Sequence, residues 1–285
     1  MRVIAVFNHK GGVGKTTTVA NLGAALARQG KRVLLVDIDP QACLTVHFGI
    51  DPETAEDTIY EVLCRDLPLE KAVRPVEGEE RLFLAPSQLD LAGAELELAT
   101  TMGRERLVRD ALERWLRAHK DTDYVFLDCP PSLGLLTVNA LTASDEVFVP
   151  LQTEFLALRG VGKLVEVVQK VRRRLNPRLQ ITGILPTLSR TGTLLAREVN
   201  EEIHKHFGPR VFKTRIRNNV RLAEAPSHGK TIFGYAPSSA GAEDYAALAE
   251  EVAAMQVPHR VLAAEEPRIA VDDILASIER PPASA

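Results

Sequence analysis

The chain has 285 residues, with 35 basic residues against 38 acidic ones, and 45% of its residues are hydrophobic. A chain of this size and composition can bury the core of one large α/β domain or of two small ones. No apolar stretch approaches the roughly 20 residues of a membrane-spanning helix, and the N-terminus is typical of a strand rather than a signal peptide. Because the 3 cysteines form no CxxC pair, reduced thiols and a cytoplasmic location are expected.

The first motif along the chain is a glycine loop between an apolar strand predicted at 2–7 and a helix predicted at 16–29. Residues 10–17 read KGGVGKTT. Glycines leave the backbone N–H groups able to wrap around an anion, and the start of the helix adds positive potential. We expect Lys15 to reach the β- and γ-phosphates of a nucleotide and the Thr16 hydroxyl to ligate Mg²⁺.

Two later apolar runs end in aspartate. Residues 33–41 read VLLVDIDPQ and residues 124–131 read YVFLDCPP, so Asp37 and Asp128 stand at strand ends. Taken alone, such a carboxylate is as often a helix cap or a turn residue. Three strand-and-loop units converging on one crevice instead indicate a nucleotide site at the carboxyl ends of parallel strands.

The alternation of strands and helical patterns predicts the fold class. Strands are expected at 2–7, 32–37, 81–85, 123–128, 145–150 and 180–185, with short helices in the polar segment 51–78. This order predicts an α/β fold, doubly wound, with a mainly parallel sheet and helices on both faces. The glycine loop at 10–17 adds that the fold is of the P-loop NTPase type. The simplest division is a single domain at 1–256 and an acidic, proline-containing C-terminal tail at 257–285.

The tail carries one short apolar period. Val271, Ile274, Leu275 and Ile278 would share one helical face, which could dock on the parent domain, on a second subunit or on a membrane. Nearby acidic residues disfavour an anionic membrane. A disordered or loosely docked tail is the simplest expectation.

The charge is unevenly distributed along the chain. Residues 163–230 contain 15 basic and 5 acidic residues, a net charge of +10, whereas the whole chain carries −3. Basic runs are more often solvated helix faces than binding sites. The functional alternative is a phosphate-binding surface on one face of a dimer, which would contact backbone phosphates without reading sequence.

Four blocks together resemble the chromosomal ParA (Soj) partition ATPases, within the ParA/MinD group whose Walker A loop is deviant. They are KGGVGKTTT at 10–18, VLLVDIDPQ at 33–41, FLDCPPSLG at 126–134 and NVRLAEAPSHGK at 219–230. The departures are His9, where glutamine is expected, and residues 216–218, where the family commonly has Ile-Pro-Arg. Nitrogenase iron proteins share this loop type, but here no glycine-flanked cysteine follows Cys129, so the three cysteines are interpreted as packing residues.

The resemblance implies a set of site residues. It assigns catalysis to Lys10, Lys15 and Asp39: Lys10 would cross to the nucleotide of the partner subunit, and Asp39 would position the attacking water. It assigns the metal to Thr16, Asp37 and Asp128, and DNA binding to Arg190 and Arg221. The implied nucleotide-binding set is Lys10, Gly11, Gly12, Val13, Gly14, Lys15, Thr16, Thr17, Asp37, Asp128, Ile216 and Arg217.

The same resemblance implies an ATP- and Mg²⁺-dependent ATPase of chromosome or plasmid partition. An ATP-dependent homodimer would bind nucleoid double-stranded DNA nonspecifically, without a membrane. A ParB/Spo0J-type centromere-binding protein would stimulate hydrolysis and so release the dimer. The alternatives are a MinD-like membrane-recruited positioning ATPase and a binding switch with negligible hydrolysis.

Overall fold

The computed structural model describes residues 1–152, 155–189 and 194–255. Its strands are β1 (Arg2–Val6), β2 (Val33–Asp37), β3 (Arg74–Val76), β4 (Glu79–Ala85), β5 (Tyr124–Asp128), β6 (Glu146–Gln152) and β7 (Gln180–Thr187). Its α-helices are α1 (Lys15–Arg28), α2 (Cys43–His47), α3 (Ile59–Cys64), α4 (Leu69–Ala72), α5 (Ala94–Glu97), α6 (Leu107–Ala118), α7 (Leu135–Ala143), α8 (Phe155–Arg174), α9 (Leu194–Phe207), α10 (Val220–Glu224), α11 (Ile232–Tyr235) and α12 (Ala240–Ala254).

The strands form one sheet in the order β3-β4-β2-β5-β1-β6-β7. All neighbouring strands pair parallel except β3, which pairs antiparallel with β4. The six strands predicted from the sequence are confirmed, with ends that differ by at most two residues. The fold class is therefore the predicted doubly wound, mainly parallel sheet.

The edge strand β3 was not predicted, because Pro75 lies within it. Proline cannot donate to a sheet ladder and is tolerated only at edges or bulges. β3 is such an edge, and its register with β4 shifts between Pro75 and Val76. The short helices expected in the polar segment 51–78 are confirmed as α3 and α4.

Two apolar cores lie on opposite faces of the sheet. Neighbouring residues of β5 show the division, since Phe126 packs into the cluster that contains Leu22 of α1 and Leu248 of α12. Leu127 packs into the other cluster, with Trp115 of α6. Alternate side chains of a strand point to opposite faces, so a central strand covered on both faces is apolar throughout.

Strand register brings the site residues together. β5 lies between β2 and β1, and Asp128 is in register with Asp37 on one side and with Val6 on the other. The glycine loop follows β1 directly. Two carboxylates and the loop therefore meet at the same carboxyl edge of the sheet, as strand order and parallel pairing require.

Candidate functional site

The glycine loop has a backbone conformation that only glycine adopts easily. Gly12 has a φ of 71° and Gly14 a φ of 86°, and Gly14 caps the N-terminus of α1. From β7, the Thr187 hydroxyl donates to the carbonyl of Val13 at 2.8 Å. This hydrogen bond holds the loop against the sheet. The first turn of α1 contains no acidic residue, and no side chain caps its N-terminus. Such a helix N-terminus attracts an anion.

Thr16 joins the loop to the β5 carboxylate. Its hydroxyl donates to Asp128 Oδ2 at 2.7 Å, and Asp128 is fully buried. The other oxygen, Oδ1, has no hydrogen-bond donor in the described part of the chain. A buried carboxylate oxygen without a donor has lone pairs available for a cation or for its bound water.

Asp37 accepts three hydrogen bonds, two at Oδ2 and one at Oδ1. Its Oδ2 accepts from the Thr45 N–H at 2.8 Å and from the Thr45 hydroxyl at 2.7 Å, and its Oδ1 accepts from the Asp39 N–H at 3.1 Å. In turn, Asp39 Oδ1 accepts from the Gln41 N–H at 3.0 Å. Asp37 is therefore anchored within its own turn, whereas Asp128 retains an open oxygen.

The electrostatics of the site favour a cation. Burial raises the pKa of Asp37, although its hydrogen bonds oppose this shift. Burial, and then the charge of Asp37, raise the pKa of Asp128, while the buried Lys15 ammonium lowers it. Two neighbouring buried carboxylates disfavour each other's ionised form, and a divalent cation relieves that repulsion. Thr16, Asp37 and Asp128 therefore fit a Mg²⁺ site.

The signature lysine of the loop contacts the end of β6. Lys10 Nζ donates to Gln152 Oε1 at 2.8 Å, and Gln152 Nε2 donates to the carbonyl of Gly12 at 3.2 Å. The Lys10 N–H donates to Asn8 Oδ1 at 3.0 Å. Lys10 is thus held beside its own loop in the single chain, and its role toward a second subunit stays a prediction.

The predicted nucleotide contacts at 216 and 217 lie beside β7. Ile216 is buried, and its N–H donates to the Pro186 carbonyl at 2.9 Å. The Arg217 guanidinium is bound to α12, where Nε donates to Asp244 Oδ1 at 2.9 Å and Nη2 to Glu243 Oε2 at 2.9 Å. The Arg217 N–H also donates to Asp244 Oδ2, at 2.8 Å. Since α12 engages both the side chain and the N–H, the nucleotide contact at position 217 stays a prediction.

Of the two predicted DNA contacts, one lies in the described residues. Arg221 is exposed on α10 and forms an ion pair with Glu224 at 2.8 Å. Arg190 lies outside the described residues, as does the tail at 257–285. Ser189, which precedes Arg190, pairs with Arg217 in a parallel bridge.

Sequence reasoning missed the residues that hold the site in place. These residues are Thr45 on α2, Ser87 after β4 and Gln152 on β6. They hydrogen-bond to Asp37, to the Asp39 carbonyl and to Lys10, respectively. Hydroxyl and amide side chains are common in turns, so their presence alone does not mark a site residue. The only local signal was the position of Thr45, eight residues after Asp37.

The described residues include no helix both long and apolar enough to cross a bilayer.

Comparison with known proteins identifies the family. The family described as AAA domain matches residues 1–181. The chain is 49% identical to the sporulation initiation inhibitor protein Soj of Bacillus subtilis over 253 residues, 89% of this chain and 98% of that protein. It is 50% identical to the chromosome-partitioning ATPase Soj of Thermus thermophilus over 254 residues, 89% of this chain and 96% of that protein.

A solved structure agrees with the fold described above. It is the cobyrinic acid a,c-diamide synthase of Mycobacterium smegmatis, crystallised with an ATP analogue and magnesium. The two chains share 41% sequence identity at a TM-score of 0.76, over 89% of this chain and 94% of that one. Given the two curated Soj relatives and the four sequence blocks, the chain belongs to the ParA/Soj family of chromosome-partitioning ATPases.

Proposed function

We propose that this partition ATPase binds ATP with Mg²⁺ at the glycine loop, dimerises, binds DNA without sequence preference and leaves the DNA after hydrolysis. The observation that carries the proposal is the contact between the Thr16 hydroxyl and the buried Asp128 carboxylate, joined at 2.7 Å beside the loop, with no donor to Asp128 Oδ1 in the described part of the chain. Phosphoryl transfer needs little covalent chemistry and much positioning and charge neutralisation. This group of side chains supplies both.

Each residue of the loop has a distinct part. Backbone N–H groups of residues 11–17 would bind the phosphate oxygens, and the buried Lys15 ammonium would neutralise the β- and γ-phosphates. Thr16 and Asp128 would hold Mg²⁺, with Asp37 supporting the site from its anchored turn. The metal would supply charge neutralisation of the phosphates. The M. smegmatis relative, which carries an ATP analogue and magnesium, supports this assignment.

Asp39 would orient the attacking water. It follows the end of β2 and is buried, and its Oδ1 is fixed by the Gln41 N–H. A carboxylate that aligns water with the γ-phosphate raises the rate without contributing to nucleotide affinity. In the dimer, Lys10 would exchange Gln152 for a phosphate of the partner's nucleotide, which would make dimerisation depend on ATP.

The DNA surface would be the exposed basic edge that contains Arg221. Lys213, Arg215 and Lys230 are also exposed and lie close to Arg221 in the sequence, and we assign them to the same surface. Contacts to phosphates are sequence-independent, and they are salt-dependent because they release counterions.

We also propose that the protein is cytoplasmic and nucleoid-associated, and that a ParB/Spo0J-type partner stimulates its hydrolysis of ATP. Residues 1–256 would form the ATPase domain, since α12 packs on α1 through the shared core, and 257–285 a separate tail.

Charge reversal at Arg221 tests the proposal. Arg221→Glu should abolish co-sedimentation with duplex DNA in ATP and Mg²⁺ while basal ATP hydrolysis persists. The matched control is Arg109→Glu on α6, because Arg109 also pairs within its helix, with Glu113 at 2.8 Å, and lies outside the basic segment. The control should bind DNA normally.

Further arms separate the alternatives. The variant with charge reversals at both Arg190 and Arg221 should bind DNA no better than Arg221→Glu alone. DNA binding by that double variant at moderate salt would locate the surface elsewhere. ATP-dependent binding to anionic liposomes in place of DNA would favour a MinD-like role, and absence of turnover with and without a ParB-type protein would favour a binding switch.

A further inference from the structure

A buried hydroxyl network joins the turn after β2 to the end of β4. Ser87 and Thr45 are both fully buried. The Ser87 N–H donates to Thr45 Oγ1 at 2.8 Å, and Thr45 Oγ1 donates to Asp37 Oδ2 at 2.7 Å. The Ser87 hydroxyl donates to the carbonyl of Asp39 at 2.9 Å. Each hydroxyl proton therefore has one defined acceptor.

The network holds a turn with an unfavourable backbone. Ala42 lies between Asp39 and α2 with a φ of 51°, in the left-handed region that side chains other than those of Gly, Asn and Asp rarely adopt. Its N–H donates to the Asp39 carbonyl at 2.8 Å, so that carbonyl accepts from both Ala42 and Ser87. A strained turn persists only when its surroundings fix it.

The effect on Asp39 follows from these contacts. Its N–H is bound to Asp37 Oδ1 at 3.1 Å and its carbonyl to Ser87 and Ala42, so the backbone is fixed on both sides of the side chain. Asp37 Oδ2, in turn, has both of its acceptor directions filled by Thr45. Asp37 thus acts as an anchor for the turn, and Asp39 is the carboxylate that the turn presents.

We propose that Thr45 and Ser87 are positioning residues for ATP hydrolysis, which hold the 37–45 turn so that the Asp39 carboxylate is aligned for the attacking water. This inference rests on the proposed function. A misplacement of about 1 Å in such a group lowers a rate by about a hundredfold. Of the residues proposed to bind the nucleotide and the metal, Thr45 contacts Asp37. The hydrogen bonds shown for Thr45 and Ser87 do not involve the glycine loop, which would bind the phosphates.

The decisive variants are Thr45→Val, which removes the hydroxyl and nearly keeps the shape, and Thr45→Ser, which keeps the hydroxyl. Thr45→Val should lower kcat by about 10- to 100-fold and leave the ADP dissociation constant within about threefold. Thr45→Ser should restore kcat to within about threefold of wild type. Ser87→Ala should lower kcat in the same direction and serves if Thr45→Val does not fold.

The matched control is Thr182→Val on β7. The Thr182 hydroxyl also donates to a buried carboxylate, Glu146 Oε2, at 2.8 Å, but at the opposite end of the sheet. A merely structural hydroxyl should affect stability and leave kcat unchanged. Equal losses of kcat in Thr45→Val and Thr182→Val, or wild-type kcat in Thr45→Val, would overturn the positioning role.

Amide hydrogen exchange of the nucleotide-free protein gives a second readout that does not depend on turnover. Thr45→Val should accelerate exchange at the amides of Asp39 and Ala42 at least tenfold relative to wild type, whereas Thr182→Val should not. Unchanged exchange at these amides would also overturn the proposal. A wild-type protein without turnover would instead reject the ATPase function, while the exchange result would still decide whether Thr45 holds the turn.

Discussion

At the scale of single residues, the two lysines of the glycine loop have different surroundings. Lys15 is buried at the start of α1, beside Asp128, whereas Lys10 reaches across to Gln152 at the end of β6. The first position can neutralise phosphates within one chain. Lys10 instead donates to the side chain of Gln152 on the strand β6. We propose that it exchanges this acceptor for another in the dimer.

Separate alanine variants should therefore have separate phenotypes. Lys15→Ala should abolish ATP binding, because the buried cation that compensates the phosphates is lost. Lys10→Ala should retain ATP binding and lose dimerisation and hydrolysis. Isothermal titration measures the first property and light scattering with ATP the second. ATP-dependent dimers of Lys10→Ala would contradict the role of Lys10 in the partner's site.

Asp39→Ala should trap the ATP-bound dimer. The variant keeps every proposed phosphate ligand and loses only the carboxylate that orients water, so the barrier rises while binding persists. A loss of ~3 kcal/mol in transition-state stabilisation slows turnover by about a hundredfold. Phosphate release under single-turnover conditions measures this rate. Wild-type turnover in Asp39→Ala would reject the assignment.

His47 should make the folding stability depend on pH. Burial lowers the pKa of His47 to about 4, while a hydrogen bond to the Lys230 backbone acts in the opposite direction. His47 takes up a proton near pH 6.5 in the unfolded chain, and in the folded chain it does so only near pH 4. Stability from this residue is thus complete above pH 6.5 and decreases toward pH 4, by up to about 3 kcal/mol.

The His47→Gln variant isolates that contribution. Its free energy of unfolding, measured by denaturant titration at several values between pH 7 and pH 4.5, should decrease less with acidification than that of wild type. All other titrating groups are shared by the two proteins, so the difference in slope belongs to His47. Identical slopes would show that His47 is protonated as readily in the folded state as in the unfolded one.

At the scale of secondary-structure elements, the sequence predicted the six strands that pair parallel in the sheet. β1, β2 and β5 are continuous apolar runs, and β2 and β5 end in aspartate, so their type and their carboxyl ends were predictable. β3 was not, because an edge strand of three residues with a proline has no hydrophobic periodicity.

Neither the position of Thr45 nor that of Ser87 could be predicted. Their roles depend on β4 being the neighbour of β2 in the sheet, which is a long-range pairing. The DNA assignment at Arg221 and the nucleotide contact at Arg217 came from the resemblance, and only three-dimensional contacts show that Asp244 holds the Arg217 guanidinium. Local patterns specify strands, whereas side-chain partners across strands require the topology.

A side chain at Gly23 should destabilise the protein, because α1 packs closely on the sheet at this position. A Cβ at this position would lie 2.7 Å from Leu35 Cδ2 and 3.3 Å from Leu82 Cδ1. Gly23→Ala should destabilise the protein by about 1–3 kcal/mol through overpacking. Differential scanning calorimetry should show a lower Tm.

The same substitution at Gly93 provides the control. There the nearest atom to a new Cβ is Glu97 Oε1 at 3.9 Å, and the backbone has helical angles. Gly93→Ala should be neutral or stabilising by up to about 1 kcal/mol, because it restricts the unfolded chain. A Gly23→Ala protein as stable as Gly93→Ala would show that α1 can move away from β2.

At the scale of the whole molecule, the charge distribution and the nucleotide site have to act together. A net charge of −3 disfavours unspecific attraction to DNA by the chain as a whole, while the segment 163–230 carries +10. DNA affinity should therefore depend on how the basic residues of segment 163–230 are arranged on the protein surface. Two copies in an ATP-bound dimer would double the number of phosphate contacts, and each contact adds about 0.9 to the log–log salt slope.

The measurement that tests this account most directly is the affinity for a fluorescent duplex of arbitrary sequence in ATP with Mg²⁺, in ADP with Mg²⁺ and without nucleotide. Anisotropy titrations at several salt concentrations should show binding in ATP that weakens steeply with salt and is indifferent to sequence. ADP and the nucleotide-free state should bind at least about tenfold more weakly, since a dimer gains affinity through the simultaneous contacts of both subunits. Equal affinities in all three states, or no binding in ATP, would contradict the account.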